Sequence, residues 1–460
     1  MAFNWIYNFP EVAFPSQRKL PFKEKLKWTL IILILFFVLG LVPLFGLGIN
    51  ALERFDYLST ILASEFGSLI SLGIGPIVTA SIVLQLLNGS GMVKFDLNSE
   101  EGKKKFHGIQ KWLTVAFIIF ESFVYIFMGG LAPAEALIGT PTYLSMQLIL
   151  VFQLFLGGLM IMFMDDVISK WGFGSGVSLF IAAGVSKTLI VRAFNPLPSP
   201  TNPDIASGAI PALVQNLAAG EPTAALLLMA GIVATVVVFA IAVFGQAMKV
   251  EIPLSFGRVR GYGIRWPLQF IYTSNIPVIL ISALIANLQL FARLFEKWGY
   301  PILGTFVGNS PASGLVSWIF APNLVEKIIT RSVTLANIGQ SIFYVIFLVV
   351  GSVIFSIFWV QTSGMDARAQ ARNIMSSGLQ IPGFRRDERV LEHILNRYIW
   401  PLTIMGAIFV GILAGIADLS GALVQGTSLL LTVMIIYRLY EEIGTQHMYD
   451  MNPMLRKFME

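Results

Sequence analysis

The sequence predicts an all-α membrane protein of about ten transmembrane helices in two inverted five-helix halves, and three observations carry that reading. Hydrophobic residues make up 56% of the 460-residue chain against 12% charged ones, far more apolar surface than one soluble core can use. Apolar runs close to the roughly 20 residues that cross a hydrocarbon layer of about 30 Å recur from end to end. Connecting segments alternate between rich and poor in Lys and Arg.

The clearest spans cover residues 28–45, 69–87, 109–129, 143–164, 175–191, 224–244, 270–290, 338–360, 399–416 and 428–440. With the N-terminus inside, the inner segments hold roughly 24 of the 31 Lys and Arg, so the positive-inside rule puts both termini in the cytoplasm. Residues 1–27 lack an early apolar core with a small-residue cleavage site and are not expected to be cleaved. The aromatic-rich stretch 3–22, followed by Lys23, Lys25 and Lys27, is expected to lie on the inner face as an amphipathic helix. Residues 28–191 form one five-span half, 192–223 an external linker and 224–440 the second half, with 441–460 a cytoplasmic tail.

Three inner segments carry most of the positive charge: 94–111, the loop 245–269 with Lys249, Arg258, Arg260 and Arg265, and the stretch 361–398 with six arginines, Arg385 and Arg386 among them. In that stretch residues 365–375 read as helix, Pro382 and Gly383 as a turn, and 385–397 as a second basic helix ahead of the ninth span. Such charge either orients the protein or docks something anionic, for which arginine is the suited residue.

Two spans are interrupted. The second contains Gly73, Gly75 and Pro76, and a proline within a helix removes a backbone hydrogen bond. The seventh repeats the pattern around Asn275, Ile276 and Pro277. Ten spans divide into two fives, an odd number per half forces the halves to run in opposite directions, and spans two and seven become symmetry mates. Matched interruptions in inverted halves point to a central pathway. Residues 52–66, which hold Glu53, Arg54, Asp56 and Glu65, are too short and charged to span; they form an outer amphipathic helix or a re-entrant one enclosed by protein.

Chemistry within the spans is sparse. Glu121 is the main ionisable residue inside a span, read as a polar contact with a neighbouring helix, to Asn287 or Thr79, ahead of a proton relay; Asp165, Asp166 and Asp418 sit at span ends. There is no cysteine, His107, His393 and His447 form no ligand set, and no GxxxxGK[ST] loop occurs. No catalytic residue, metal or cofactor is expected, so any driving energy comes from a partner. Apolar spans do suit a hydrophobic constriction; Ile74 and Val78 share a helix face, as do Val177 and Ile181, although such pairs also arise from packing.

The stretches 72–87 (LGIGPIVTASIVLQLL), 171–186 (WGFGSGVSLFIAAGVS), 249–261 (KVEIPLSFGRVRG), 274–287 (SNIPVILISALIAN) and GTSLLLTV from Gly426, with Tyr437 and Arg438 after it, resemble the SecY family in its archaeal branch. The resemblance covers nearly the whole chain. It implies a protein-conducting channel of two halves that opens towards lipid, without enzymatic activity. By motif, the pore ring would be Ile74, Val78, Val177, Ile181, Ile279 and Leu431, with valine at Val177 a small departure in volume. A re-entrant plug helix would include Phe55, Leu58, Ile61, Leu62 and Phe66, and a lateral gate would carry the polar cluster Thr79, Glu121 and Asn287. Lys249, Arg258, Arg260, Arg265, Arg385 and Arg386 would face the ribosome. Smaller subunits of the SecE (gamma) and beta type, signal sequences, nascent polypeptides and lipid are the implied partners, in the cell membrane. A secondary transporter or lipid-linked flippase also uses inverted repeats, but it needs a polar midplane site that this sequence mostly lacks.

Overall fold

The computed structural model describes residues 10–16, 20–48, 67–89, 92–93, 95, 99–127, 131–134, 137–198, 204–256, 263–273, 276–307, 310–376, 379–380 and 387–451. The ten spans are the helices Phe22–Gly40, Gly75–Gly89, Glu100–Phe127, Pro141–Trp171, Gly176–Phe194, Pro222–Ala247, Ile276–Lys297, Leu335–Thr362, Glu388–Leu419 and Gly426–Met451, numbered first to tenth. Among the described residues, seven of them meet the length and hydropathy of a membrane crossing on their own. The first, second and tenth complete the set. The first carries Lys23, Glu24, Lys25 and Lys27 in its opening turns, the second has 15 residues, and the tenth has Arg438, Glu441 and Glu442 in its latter half.

Several ends differ from the sequence reading. The first helix runs from Phe22 to Gly40 rather than from 28 to 45, because lysines can snorkel from an interfacial turn that hydropathy ignores. The expected basic helix over 385–397 and the ninth span are one helix, Glu388–Leu419, continuing through Pro401. Pro76 and Pro277 do not break helices; each is the second residue of one, where its missing N–H costs nothing. Ahead of the second helix, residues 67–74 are a chain of turns in which Ser71, Gly73 and Gly75 donate to the carbonyls of Ser68, Ile70 and Leu72. Gly73 sits at φ 56°, a left-handed conformation that a side chain disfavours.

One apolar cluster fills the centre between the halves. It takes Ile32 and Phe36 from the first helix, Ile74 and Val78 from the second, Phe180 and Ile181 from the fifth, Val278 and Ile281 from the seventh and Leu430 and Leu431 from the tenth. A second cluster joins Ile118 and Tyr125 of the third helix to Leu150 and Leu154 of the fourth and Ala286 and Leu290 of the seventh. The second helix thereby packs on the third, seventh and eighth at once.

The basic loop 245–269 is a β-hairpin. Lys249–Phe256 pairs antiparallel with Gly263–Gln269, placing Val250 opposite Leu268 and Ile252 opposite Trp266. The short strand Leu379–Gln380 extends this sheet from the other basic segment. Ile252 and Leu268 bury against Ala371 and Ile374 of the helix Ala367–Ser376 and against Leu391 and Leu395 of the ninth helix. The two basic loops are thus one packed platform. On the opposite face, residues 192–223 include the helix Ala209–Ala219, and the outer loop holds the short helices Gly314–Trp318 and Leu324–Ile329.

The described part of the N-terminal segment, residues 10–16, is extended rather than helical, since Pro10 and Pro15 disfavour a helix. It is strapped to the ends of the third and fourth spans. Lys170 Nζ donates to Glu11 at 2.8 Å and to the Val12 carbonyl at 2.8 Å, Trp171 Nε1 donates to the Ala13 carbonyl at 2.9 Å, and Lys111 Nζ lies 3.1 Å from Glu11. Burial pulls the Glu11 carboxyl upward, but hydrogen bonds from Lys170 and Lys111 outweigh it and hold it below the usual carboxylate range. A lowered folded pKa means that the strap's ionic contribution is complete above the ordinary carboxylate pKa and lost as pH falls through the lowered value. A nitroxide on Ser16→Cys, clean because the chain has no native cysteine, should therefore gain mobility as pH drops below about 4. Glu11→Gln should leave the label mobile at neutral pH with no acid step, and a mobility constant from pH 7 to 3 would contradict the strap.

Candidate functional site: a constricted central cavity and its polar seam

The second and fifth helices each begin at a glycine beside the central cluster, which brings their first turns to the middle of the molecule. Ile74 immediately precedes the second helix and Val78 lies one turn further on, 2% and 6% exposed. Val177 and Ile181 lie one turn apart in the fifth, Ile279 lies in the first turn of the seventh, and Leu431 follows one turn into the tenth. All six belong to the central apolar cluster or pack against it. A cavity of about 490 Å³ runs from Val78, Val177 and Ile279 past Gln85 and Gln110 to Arg438 and Glu442. Ile74, Ile181 and Leu431 do not line it and are buried in the central apolar cluster. Chemically this is a mostly apolar cavity with scattered polar side chains, and its branched apolar residues are of the kind that exclude water and ions without binding any particular solute.

A polar cluster bridges the second, third and seventh helices beside this cavity. Asn287 Nδ2 donates to Thr79 Oγ1 at 3.1 Å and to the Ala283 carbonyl at 2.9 Å. The Thr79 hydroxyl has the Gly75 carbonyl at 2.9 Å and Glu121 Oε1 at 3.4 Å within reach of its single proton. Glu121 is 3% exposed. The three residues singled out from the sequence do meet, across a separation of 208 positions between Thr79 and Asn287.

The basic platform is less free than its composition suggested. Lys249 Nζ pairs with Glu441 at 2.8 Å, and that hydrogen bond raises its pKa above the ordinary lysine value. Arg265 pairs with Glu251 at 3.0 Å on an exposed edge. Arg258, Arg260, Arg385 and Arg386 lie outside the described residues, as do Phe55, Leu58, Ile61, Leu62 and Phe66.

One ionisable group, Lys187, was passed over in the sequence, and two that were named there, Asp165 and Asp418, have contacts it did not reveal. Lys187 lies within the fifth span, half-buried, with Nζ 6.0 Å from the Phe37 ring centroid, so Glu121 is not alone among ionisable residues in the spans. A lysine flanked by apolar residues was the available signal. Asp165 accepts a hydrogen bond from the Val177 N–H at 2.9 Å, and Asp418 accepts from the Gly426 N–H at 2.6 Å. Read as span-end charges, both are contacts between helices, which no local pattern reveals.

Ten helices in two inverted halves, packed around a cavity lined in part by branched side chains, define a multi-pass membrane protein with the architecture of a channel. The SecY family model matches residues 68–440. The protein translocase subunit SecY of Methanothermobacter thermautotrophicus is 45% identical over 454 residues, which cover 98% of this chain and 96% of the relative. A solved structure of a protein-conducting channel is 38% identical, with a TM-score of 0.84 and 98% of each chain covered. Sec61 in the canine ribosome-channel complex from the endoplasmic reticulum is 36% identical, with a TM-score of 0.81 and 98% of each chain covered. The chain belongs to the SecY family.

Proposed function

We propose that the cavity is the vestibule of a polypeptide-conducting channel and that Ile74, Val78, Val177, Ile181, Ile279 and Leu431 are the ring through which the substrate passes. The observation that carries this reading is the gathering of all six, drawn from both halves, in one central apolar cluster, with Val78, Val177 and Ile279 lining the cavity beside it. Branched side chains close around any extended chain while limiting ion leakage, whereas a charged ring would hold some substrates too well. The seam at Thr79, Glu121 and Asn287 is the lateral gate, where an apolar signal sequence or membrane helix parts the second and seventh helices and leaves for the lipid. Residues 55–66 act as the plug that this movement displaces.

The channel contributes no chemical step; a partner supplies the driving force. The platform of basic loops faces the cytoplasm with both termini and docks the ribosome through Arg258, Arg260, Arg385 and Arg386, arginines suited to RNA phosphate. Lys249 and Arg265, already paired with carboxylates, contribute less than these arginines. Smaller subunits of the SecE and beta type complete the assembly in the cell membrane.

The absence of native cysteine makes the test direct. With Ile279→Cys or Ile74→Cys and a single cysteine in an arrested secretory chain, a disulfide is expected at both positions and none at lipid-facing Val236→Cys. Efficient crosslinks elsewhere on the protein with none at residues 74 and 279 would remove the ring assignment.

A further inference from the structure

Two buried carboxylates on non-adjacent spans make the same contact at opposite ends of the molecule. Asp165, near the end of the fourth helix, reaches the start of the fifth, where its Oδ1 accepts the Val177 N–H at 2.9 Å. Asp418, near the end of the ninth, reaches the start of the tenth, where its Oδ1 lies 2.6 Å from the Gly426 nitrogen and 3.3 Å from that of Thr427. The fourth and fifth spans of one half correspond to the ninth and tenth of the other. The halves run in opposite directions, so the two carboxylates act from opposite faces.

Both contacts are tight. A Cβ added to Gly176 would stand 2.6 Å from the Asp165 Cα, and one added to Gly426 would overlap the Ala417 side chain. At the fifth helix no local cap competes: Ser175, immediately before it, makes no capping hydrogen bond with its side chain. Asp418 is itself held, its Oδ2 accepting the Tyr344 hydroxyl at 2.6 Å. An acidic group on the first N–H groups of a helix complements their partial positive charge. When that group belongs to a neighbouring helix, it fixes the axial position of one helix against the other as well.

The captured residues sit at the constriction. Val177 belongs to the proposed ring and precedes Ile181 by one turn; Thr427 precedes Leu431 by one turn. We propose that Asp165 and Asp418 are paired positioning residues that hold the fifth and tenth helices, from opposite faces, at the depth where Val177, Ile181 and Leu431 close the ring. The proposal rests on the ring reading, and the property assigned to the two carboxylates is tightness at rest.

The test compares Asp165→Leu, Asp165→Asn, Asp418→Leu and Asp418→Asn in the full-length protein reconstituted in planar bilayers. Leucine removes the acceptor at similar volume; asparagine keeps an oxygen that can accept. Resting ion leakage is expected to rise roughly tenfold in either leucine variant, as loss of one buried hydrogen-bond acceptor implies, and to stay near the parent level in the asparagine variants. Folded leucine variants without added leakage, or asparagine variants that leak as much as leucine ones, would overturn the proposal. If the leucine variants do not fold, amide exchange on the unaltered protein decides: slow exchange at Val177 and Gly426 supports the caps, and fast exchange overturns them. A disulfide between Ile181→Cys and an arrested chain, read in parallel, separates the outcomes. Its loss defeats the ring reading, while its presence with unchanged leakage defeats only the role of the carboxylates.

Discussion

Replacing Gly157 by valine should prevent stable assembly of the N-terminal half. Gly157 lies on the buried face of the fourth helix, and a Cβ there would overlap the backbone carbonyl oxygen of Leu69. The obstruction is main chain, so no rotamer change relieves it. Overpacking against backbone costs on the order of 3 kcal/mol, a large part of the margin by which most folds are stable. The effect also spreads: Leu69 begins the chain of turns that delivers Ile74 to the ring, so what remains folded should carry a displaced constriction. The midpoint of thermal unfolding in detergent is the measurement, and a clear fall is expected. Gly158→Val should cost less, because its neighbour is the Ile118 side chain rather than main chain. Gly444→Ala has open space around it and should be neutral or slightly stabilising, as alanine is the better helix former. Equal midpoints for Gly157→Val and Gly444→Ala would refute the close approach.

Thr79→Val should loosen the lateral gate. Valine matches threonine in shape but removes the oxygen that accepts from Asn287 and the hydroxyl within reach of Glu121. Buried polar groups left without a partner cost about 1–3 kcal/mol, and every 1.4 kcal/mol is about a tenfold change in an equilibrium. That cost falls on the closed seam; once the helices part, vestibule water can solvate the amide and the carboxyl. The open fraction should rise roughly tenfold, read as translocation of reporters whose signal sequences are too weakly apolar for the parent channel. Thr79→Ser keeps the oxygen and should behave like the parent. A valine variant that still rejects weak signal sequences, at normal abundance, would show that the seam is not held by this cluster.

What could be read from the chain divides by the range of the signal. Spans declare themselves through runs of apolar residues, a local property, and their number survives intact. Their ends do not, because Lys23 and Lys25 are helical and yet polar, and Pro401 sits inside a helix that its neighbours sustain. The hairpin was legible in principle. Val250 and Ile252 alternate with Lys249 and Glu251, a strand period, but Pro253, Pro267 and the surrounding cations read as loop. The polar seam is a different case. Nothing near Thr79 announces Asn287; a carboxyl inside a span asks for polar partners, which made both candidates for Glu121, and the motif resemblance joined the three in one cluster. Asp165 and Asp418 show the remaining limit: their positions were noted, yet the meaning of each lies in the helix that follows, reached through space.

The sheet linking the two basic loops has a mechanical consequence. Ile252, Leu268 and Tyr272 are packed in one body with Val360, Ile374 and Leu395, and the Tyr272 hydroxyl donates to the Met365 carbonyl at 2.7 Å. Just beyond Tyr272 the seventh helix starts, at Ile276, and carries Asn287 roughly 16 Å further along its axis. A load applied to the platform is therefore borne by a stiff bracket rather than by two separate tethers.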